Sequence, residues 1–131
     1  MDSTRLSDSS LNWRISAERC TGHFVLLRSD GTAVACGDNR KGQCIIPDLV
    51  VEGVTYTQAD TGRYHTVSLA SDGIAVACGS SEHGECNIPA LSGGIIYTQA
   101  AVGCCYTVLL MSDGTAVVCR ARQWKFPASS N

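Results

Sequence analysis

The chain has 131 residues, of which 44% are hydrophobic and 17% charged, a composition typical of one soluble globular domain. Its net charge of −2 has the wrong sign and is too small to steer the chain to nucleic acid. No apolar run approaches the ~20 residues that span a bilayer. Residues 1–12 form a polar lead without the apolar core of a secretory signal. We therefore expect an intracellular protein, soluble or peripherally attached, with no nucleic-acid partner and no membrane insertion.

The segment that follows the polar lead gives a weak structural signal. Residues 10–19 could form a helical turn, but we expect an irregular lead-in to the first strand. Helix signals are also poor in the rest of the chain, which has short apolar runs, frequent glycines and many β-branched residues. The sequence therefore predicts an all-β protein.

A repeated hairpin pattern organises the remaining chain. The tripeptide Ser-Asp-Gly occurs at residues 29–31, 71–73 and 112–114, at intervals of 42 and 41 residues. Strand-length runs rich in Val, Leu, Thr and Ala flank each copy, and the Asp-Gly pairs predict tight hairpin turns with positive φ angles. A further short strand is expected to start near Tyr56 and near Tyr97, and Pro47 and Pro89 are expected to close the preceding segments.

A period near 42 residues with several strands per unit is typical of propeller blades. We predict about three tandem blades, of 41–42 residues each, that form an open or partial β-propeller. The predicted division is a polar lead at 1–12, one repeat domain at 13–119 with blades at about 13–55, 56–96 and 97–119, and a C-terminal tail at 120–131.

The pattern Gly-x-x-His-Thr-x-x-Leu-x-x-Asp-Gly, clearest between Gly62 and Pro89, resembles the repeat of the regulator of chromosome condensation. The short period and the Gly-Gln-x-x-x-Pro segment from Gly42 to Pro47 resemble the compact blades of a bacterial β-lactamase-inhibitor propeller. The resemblance covers about residues 13–119 and implies a propeller. Family functions range over nucleotide exchange on small GTPases, chromatin binding, ubiquitin-ligase accessory domains and enzyme inhibition, and fold does not choose among them.

The chain departs from the family pattern at several positions. Cys36, Cys78 and Cys119 stand where the family usually has Trp, Cys20 stands where the repeat expects Gly, and the third unit lacks the Gly-Gln segment. Family propellers usually have seven blades, whereas this chain has about three. An open arc leaves sheet edges uncovered, so we expect self-association, docking on a larger partner, or packing peculiar to this chain.

Five of the eight cysteines follow the repeat: Cys36, Cys78 and Cys119 end a strand, and Cys44 and Cys86 come eight residues after the first two. Zinc sites favour close pairs such as Cys-x-x-Cys. None is present, and the adjacent pair at 104–105 is poor chelating geometry. We expect small buried side chains between blades, with a disulfide such as Cys36–Cys44 and a metal site as the alternatives.

No catalytic, cofactor-binding or metal-binding residues are predicted. His23 and His65 share one repeat position and are expected to be structural, while His83 lies in a loop. The repeated aspartates are committed to turns, so no Ser-His-Asp set can be assembled. No phosphate-binding loop of the Gly-x-x-x-x-Gly-Lys type occurs either. The sequence therefore indicates a protein that is not an enzyme and has no cofactor.

Two variable loops are the better candidates for function, because loops on a rigid scaffold commonly carry recognition. They occupy the same place in successive units but differ in charge, and the alternative is that they are merely solvated. Their residues are Asp38, Asn39, Arg40 and Lys41 in the first loop, and Ser80, Ser81, Glu82 and His83 in the second. Trp124 and Phe126 could anchor a partner or fold back onto the last blade.

We predict a non-catalytic protein–protein interaction module or structural subunit of a larger assembly, with protein partners or self-association. The first alternative is a regulator or inhibitor that caps a small GTPase or an enzyme through its blade loops. The repeat also resembles large repeat proteins of unicellular algae, which gives an accessory subunit of an algal complex, photosynthetic complexes included, as the second alternative.

Overall fold

A computed structural model describes residues 22–120 and 125–127 and the backbone of residues 13–17 and 124. The polar lead and Cys20 lie outside the described residues. Within these ranges the chain forms ten strands and no helix. They are β1 (Trp13–Ala17), β2 (His23–Arg28), β3 (Ala33–Gly37), β4 (Tyr56–Thr61), β5 (His65–Ala70), β6 (Ala75–Gly79), β7 (Tyr97–Val102), β8 (Thr107–Met111), β9 (Ala116–Cys119) and β10 (Trp124–Phe126). β1 corrects the predicted irregular lead-in, because Trp13–Ala17 pairs along its length with β2.

The strands form three antiparallel sheets that follow the repeat. Blade 1 has the order β1-β2-β3, blade 2 has β4-β5-β6, and blade 3 has β7-β8-β9-β10. The chain is therefore all-β, with three consecutive blades in open sheets, as the sequence predicts for a partial propeller. The described residues include no helix long and apolar enough to cross a membrane.

The end of the chain differs from the predicted tail. Residues Trp124–Phe126 form β10, which pairs with β9 in the register Trp124↔Val118 and Phe126↔Ala116. The backbone of this segment therefore lies against the last blade, and a partner-anchoring role for Trp124 and Phe126 stays a prediction.

Each hairpin turn has three residues rather than the two expected for a tight Asp-Gly turn. In the first, the Gly31 amide donates to the Arg28 carbonyl (3.0 Å) and the Arg28 amide donates to the Thr32 carbonyl (2.9 Å). Gly31 has a φ of 89°, and no described residue other than glycine has a positive φ. The turn is a type I turn followed by a left-handed glycine, which needs positive φ at one position only.

Neighbouring blades are joined by the same contacts at each joint. The Gly31 carbonyl accepts the Tyr56 amide (2.8 Å), and the Gly73 carbonyl accepts the Tyr97 amide (3.0 Å). The hydroxyls of the two tyrosines donate to the carbonyls of Pro47 and Pro89. These contacts fix where β4 and β7 begin, and both predicted strand starts are confirmed.

The core lies between the blades, where the facing sides of neighbouring sheets are buried against each other. Val67 and Leu69 of β5 belong to one buried cluster with Leu109 and Met111 of β8 and Val117 of β9. Burial of one such side chain contributes about 1.5–3 kcal/mol. The joints between blades, rather than any single sheet, therefore carry most of the apolar stabilisation.

Candidate functional site

The loop after β3 is closed by its own side chains. The Asp38 carboxylate accepts hydrogen bonds from the Arg40 amide (3.0 Å), Nε (2.9 Å) and Nη2 (2.7 Å). These hydrogen bonds lower the pKa of Asp38 to about 2. Because Asp38 and Arg40 neutralise each other, the remaining charge that this loop presents outward is that of Lys41.

The structure brings the two predicted loops side by side. Lys41 Nζ lies 3.6 Å from Glu82 Oε1 of the second loop, and both side chains remain substantially exposed. An exposed ion pair of this kind contributes at most about 1 kcal/mol to stability. It matters here because it shows that the two loops are adjacent. We call the exposed surface formed by residues 38–41 and 80–83 the loop pair.

Buried polar side chains beneath the loop pair hold its backbone. Gln43 and Glu85 are 0% and 2% exposed. Gln43 Oε1 accepts the Lys41 amide (2.8 Å), and Glu85 Oε1 accepts the His83 amide (2.8 Å). In the sequence these two residues are recognisable only as landmarks of the repeat. The recurrence of a glutamine or glutamate between Gly and Cys, at the same spacing, is the signal that could have revealed the anchor.

Short side chains fix the rest of both loops. Asn39 Oδ1 accepts the Cys44 amide (2.9 Å), and Ser81 Oγ accepts the Cys86 amide (3.3 Å). Arg40, Lys41, Glu82 and His83 point into solvent from this supported backbone. The loop pair thus combines a fixed backbone with side chains that are free to contact a partner.

The histidines that share a repeat position join the blades beneath the loops. Thr107 Oγ1 donates to the Glu85 carbonyl (2.8 Å), so its only hydroxyl proton is used. His65 Nε2 lies 3.0 Å from Thr107 Oγ1. Because this oxygen can only accept a hydrogen bond from the ring, His65 Nε2 must carry a proton and donate it. The same arrangement occurs one blade earlier. There Thr66 Oγ1 donates to the Gln43 carbonyl (2.7 Å), and His23 Nε2 lies 3.0 Å from Thr66 Oγ1.

Burial lowers the pKa of His65 below its usual value, because a buried imidazolium loses its hydration. The imidazole is therefore neutral at physiological pH, with its proton held between blades. The contacts agree with the structural role expected for His23 and His65.

The repeat cysteines donate hydrogen bonds to backbone oxygens. Cys44 Sγ contacts the Asp38 carbonyl (3.3 Å), Cys86 Sγ the Ser80 carbonyl (3.2 Å) and Cys78 Sγ the Gln43 carbonyl (3.4 Å). Burial raises the pKa of Cys78 to about 11 and that of Cys86 to about 12. These thiols stay protonated at neutral pH and are therefore poor nucleophiles and metal ligands. The seven described cysteines are free thiols.

The repeated aspartates act within their turns. Asp30 Oδ1 accepts the Thr32 amide (3.0 Å) and hydroxyl (2.7 Å), and the hydroxyl contact is the main reason that the pKa of Asp30 is lowered. Asp113 bonds Thr115 in the same way. Among the described residues, no three His, Cys, Asp or Glu side chains are grouped so that they could hold a metal ion.

Two open grooves lie at the opposite end of the blades, beside these turns. They have volumes of about 270 and 340 Å³. The first is bordered by Asp30 and Pro47, and the second by their repeat equivalents Asp72 and Pro89. The described residues that border the grooves include no histidine, cysteine or lysine, so the loop pair is the stronger candidate site. Trp124 and Phe126 lie apart from the loop pair, on the outer strand of blade 3.

Residues 21–43 match the family model of the regulator of chromosome condensation (RCC1) repeat. This segment contains β2 and β3 of blade 1 and is similar to one repeat of that family. Its fold is similar to that of human WBSCR16, with a TM-score of 0.72 and 17% identity over 92% of this chain and 40% of that one. No curated protein sequence is significantly similar to the chain.

Two further propellers show the same likeness. Prp20p from Saccharomyces cerevisiae has a TM-score of 0.68 at 18% identity, over 86% of this chain and 31% of that one. The ectodomain of the Arabidopsis thaliana receptor kinase ACR4 has a TM-score of 0.60 at 14% identity, over 88% and 46%. The chain therefore spans less than half the length of each of these proteins, and the likeness shows the fold.

Proposed function

We propose that this chain is a non-catalytic protein-binding module that recognises its partner through the loop pair. The observation that carries the proposal is the contact between Lys41 and Glu82, which joins two loops of different blades into one continuous surface. Recognition by loops on a rigid scaffold needs a fixed backbone and exposed, variable side chains. Gln43 and Glu85 fix the loop backbone by their hydrogen bonds. The exposed side chains are those of Arg40, Lys41, Glu82 and His83.

The chemistry of the other polar groups supports a binding role. The buried histidine–threonine pairs join blades, three of the repeat thiols bond backbone carbonyls, and the repeated aspartates cap turns. Each of these groups is occupied by a contact that maintains the fold. The loop pair is therefore where exposed polar and charged side chains of two blades meet on one surface.

The test is affinity capture with three forms of the chain. The loop variant carries Lys41→Ser, Glu82→Ser and His83→Ser. The matched control carries Val50→Ser, Val51→Ser and Glu52→Ser, which are also exposed but lie near the turn end. A partner that binds through the loop pair should bind the wild type and the control alike and lose at least about tenfold in affinity, or 1.4 kcal/mol, with the loop variant. A partner that the loop variant retains and the control loses would refute the assignment.

A second candidate is regulation of a small GTPase through the same surface. Prp20p, whose fold this chain shares in part, binds Gsp1p and histones. The probe is Gsp1p loaded with a fluorescent nucleotide. A change in its nucleotide release rate with the wild-type chain, lost with the loop variant, would favour this candidate. An unchanged rate would leave protein binding without a GTPase role.

A further inference from the structure

One face of blade 3 is uncovered in the described structure. Thr107, Leu109 and Met111 of β8 are buried towards blade 2, so the alternate residues of this strand point the other way. The strand register extends this second face across the sheet. We call it the open face; its residues are Gln99, Ala101, Tyr106, Val108, Leu110, Ala116, Val118 and Phe126.

The equivalent face of blade 2 shows what the open face lacks. Leu69 is 3% exposed because blade 3 covers it, whereas Leu110, one repeat later, is 40% exposed. Phe126 of the open face is 47% exposed. Terminal repeats that cap an array normally present a polar outer face. An apolar open face is instead typical of a surface that packs against another protein.

The open face carries no charged side chain among its described residues, whereas the equivalent face of blade 2 carries one. Asp60, whose carboxylate accepts the Val102 amide of the next blade (3.0 Å), is replaced one repeat later by Ala101. In a two-fold interface, residues near the axis meet their own copies. A charge in that position would face a like charge, so an uncharged face is suited to pairing with itself.

A self-complementary hydrogen-bonding group stands at the inner strand of the open face. Gln58 makes two hydrogen bonds to the backbone of Ala100 in the next blade. Its Nε2 donates to the Ala100 carbonyl and its Oε1 accepts the Ala100 amide, each at 3.2 Å. Gln99 occupies the same position of β7 and is exposed. Its amide offers a donor and an acceptor to an approaching chain.

We propose that two copies of this chain associate about a two-fold axis, with the open face of one blade 3 packed on the open face of the other. Head-to-tail association would instead place blade 1 of one copy on blade 3 of the next. Leu26, which lies at the blade 1 position that such a contact needs, is only 4% exposed. The accessible apolar surface therefore favours pairing of blade 3 with blade 3.

Light scattering after size exclusion, across the micromolar range and under reducing conditions, tests the proposal. The reductant prevents cross-links through the exposed Cys104 and Cys105. The wild type should reach twice the chain mass of 13.8 kDa. Leu110→Asp should raise the dimer dissociation constant at least about tenfold. Val50→Asp, at a side chain that is 91% exposed and off the open face, should leave the dimer unchanged.

Phe126→Asp is a second open-face variant, for use if Leu110→Asp does not fold by circular dichroism, and it should also weaken the dimer. A wild-type monomer at all concentrations would overturn the proposal and leave the face to another occupant, a further blade or an unrelated protein. A dimer that survives both variants, or growth beyond two copies, would overturn it as well. The loop variant described above should dimerise normally, so failure of the recognition surface and failure of this dimer are distinguishable.

Discussion

The joint between blades 2 and 3 and the open face of blade 3 are built from corresponding positions of one repeat. At the joint, His65 is fully buried and hydrogen-bonded to Thr107. At the open face the same position holds Tyr106, which is 44% exposed. The sheets are alike, but one face has a neighbouring blade and the other has none among the described residues. The difference teaches that the repeat encodes a nearest-neighbour interface, so a residue's contribution depends on whether the next blade is present.

The largest contrast is expected at a pair of glycines. A methyl group on Gly62 would overlap the backbone carbonyl of Gly103 and the His65 ring, whereas one on Gly103 would meet chiefly the exposed Tyr106 ring. Gly62→Ala should lower the free energy of unfolding by about 3 kcal/mol through overpacking, and Gly103→Ala by less than about 1 kcal/mol because the alanine also restricts the unfolded chain. Urea denaturation of both variants, at concentrations where the chain is monomeric, measures the difference.

The contrast depends on the joint being rigid. If the two alanine variants lost equal stability, the backbone of Gly103 would be able to retreat, and the joint would not be the fixed interface described above. Unchanged m-values are required in this comparison, since a change would signal altered compactness of the native or unfolded state.

A smaller contrast is expected where the histidine and the tyrosine occupy one repeat position. His65→Ala removes a buried hydrogen bond to Thr107 and leaves a cavity, which together should lower stability by about 2–3 kcal/mol. Tyr106→Ala removes a partly exposed ring and should cost less than about 1 kcal/mol. Thermal and urea unfolding of the two variants measure the contrast, and a tyrosine effect equal to that of histidine would show that the open face is covered within the chain.

The comparison also explains which parts of the fold can be predicted from the sequence. The 41–42-residue recurrence of Ser-Asp-Gly and the strand starts at Tyr56 and Tyr97 predict the hairpins and blades, because turn chemistry and strand alternation are local properties. The pairing of β10 could not be predicted, since Trp124–Phe126 replaces the Gly-Gln or Gly-Glu segment of the earlier repeats and its partner is set by tertiary contact.

Only part of the candidate site can be predicted from the sequence, for the same reason. Charge differences within matching loops point to residues 38–41 and 80–83. The contact between Lys41 and Glu82 depends on the relative placement of blades 1 and 2. A local sequence pattern does not predict that placement. The buried role of Gln43 and Glu85 is likewise a property of the joint, because polar residues in a loop ordinarily face solvent.

A third contrast concerns the glutamines in the first strands of blades 2 and 3, Gln58 and Gln99. Gln58→Ala removes two hydrogen bonds to Ala100 and should lower stability by about 1–2 kcal/mol. Gln99→Ala, at an exposed position without a following blade, should change stability of the monomer by less than about 0.5 kcal/mol. Equal effects in urea denaturation would mean that the amide acts within its own blade and not across the joint.

The smallest effect, and the one most specific to the joint, is a dependence of stability on pH. Burial lowers the pKa of His65 in the folded chain below the unfolded value near 6.5. The unfolded chain therefore binds the proton more readily as the pH falls through this value. The free energy of unfolding should be constant above it and decrease below it, by about 1.4 kcal/mol for each unit by which the two pKa values differ.

His65→Gln isolates this contribution, because its amide can still donate to Thr107 but does not titrate. The stability difference between the wild type and His65→Gln should shrink as the pH is lowered from 8 to 5, whereas Tyr106→His should add little slope, since an imidazole on the exposed face keeps its hydration. Urea midpoints for the three chains across this range make the measurement. A wild type that loses no more stability on acidification than His65→Gln would show that the joint admits water to the imidazole, and the distinction between covered and open faces would then rest on packing and not on desolvation.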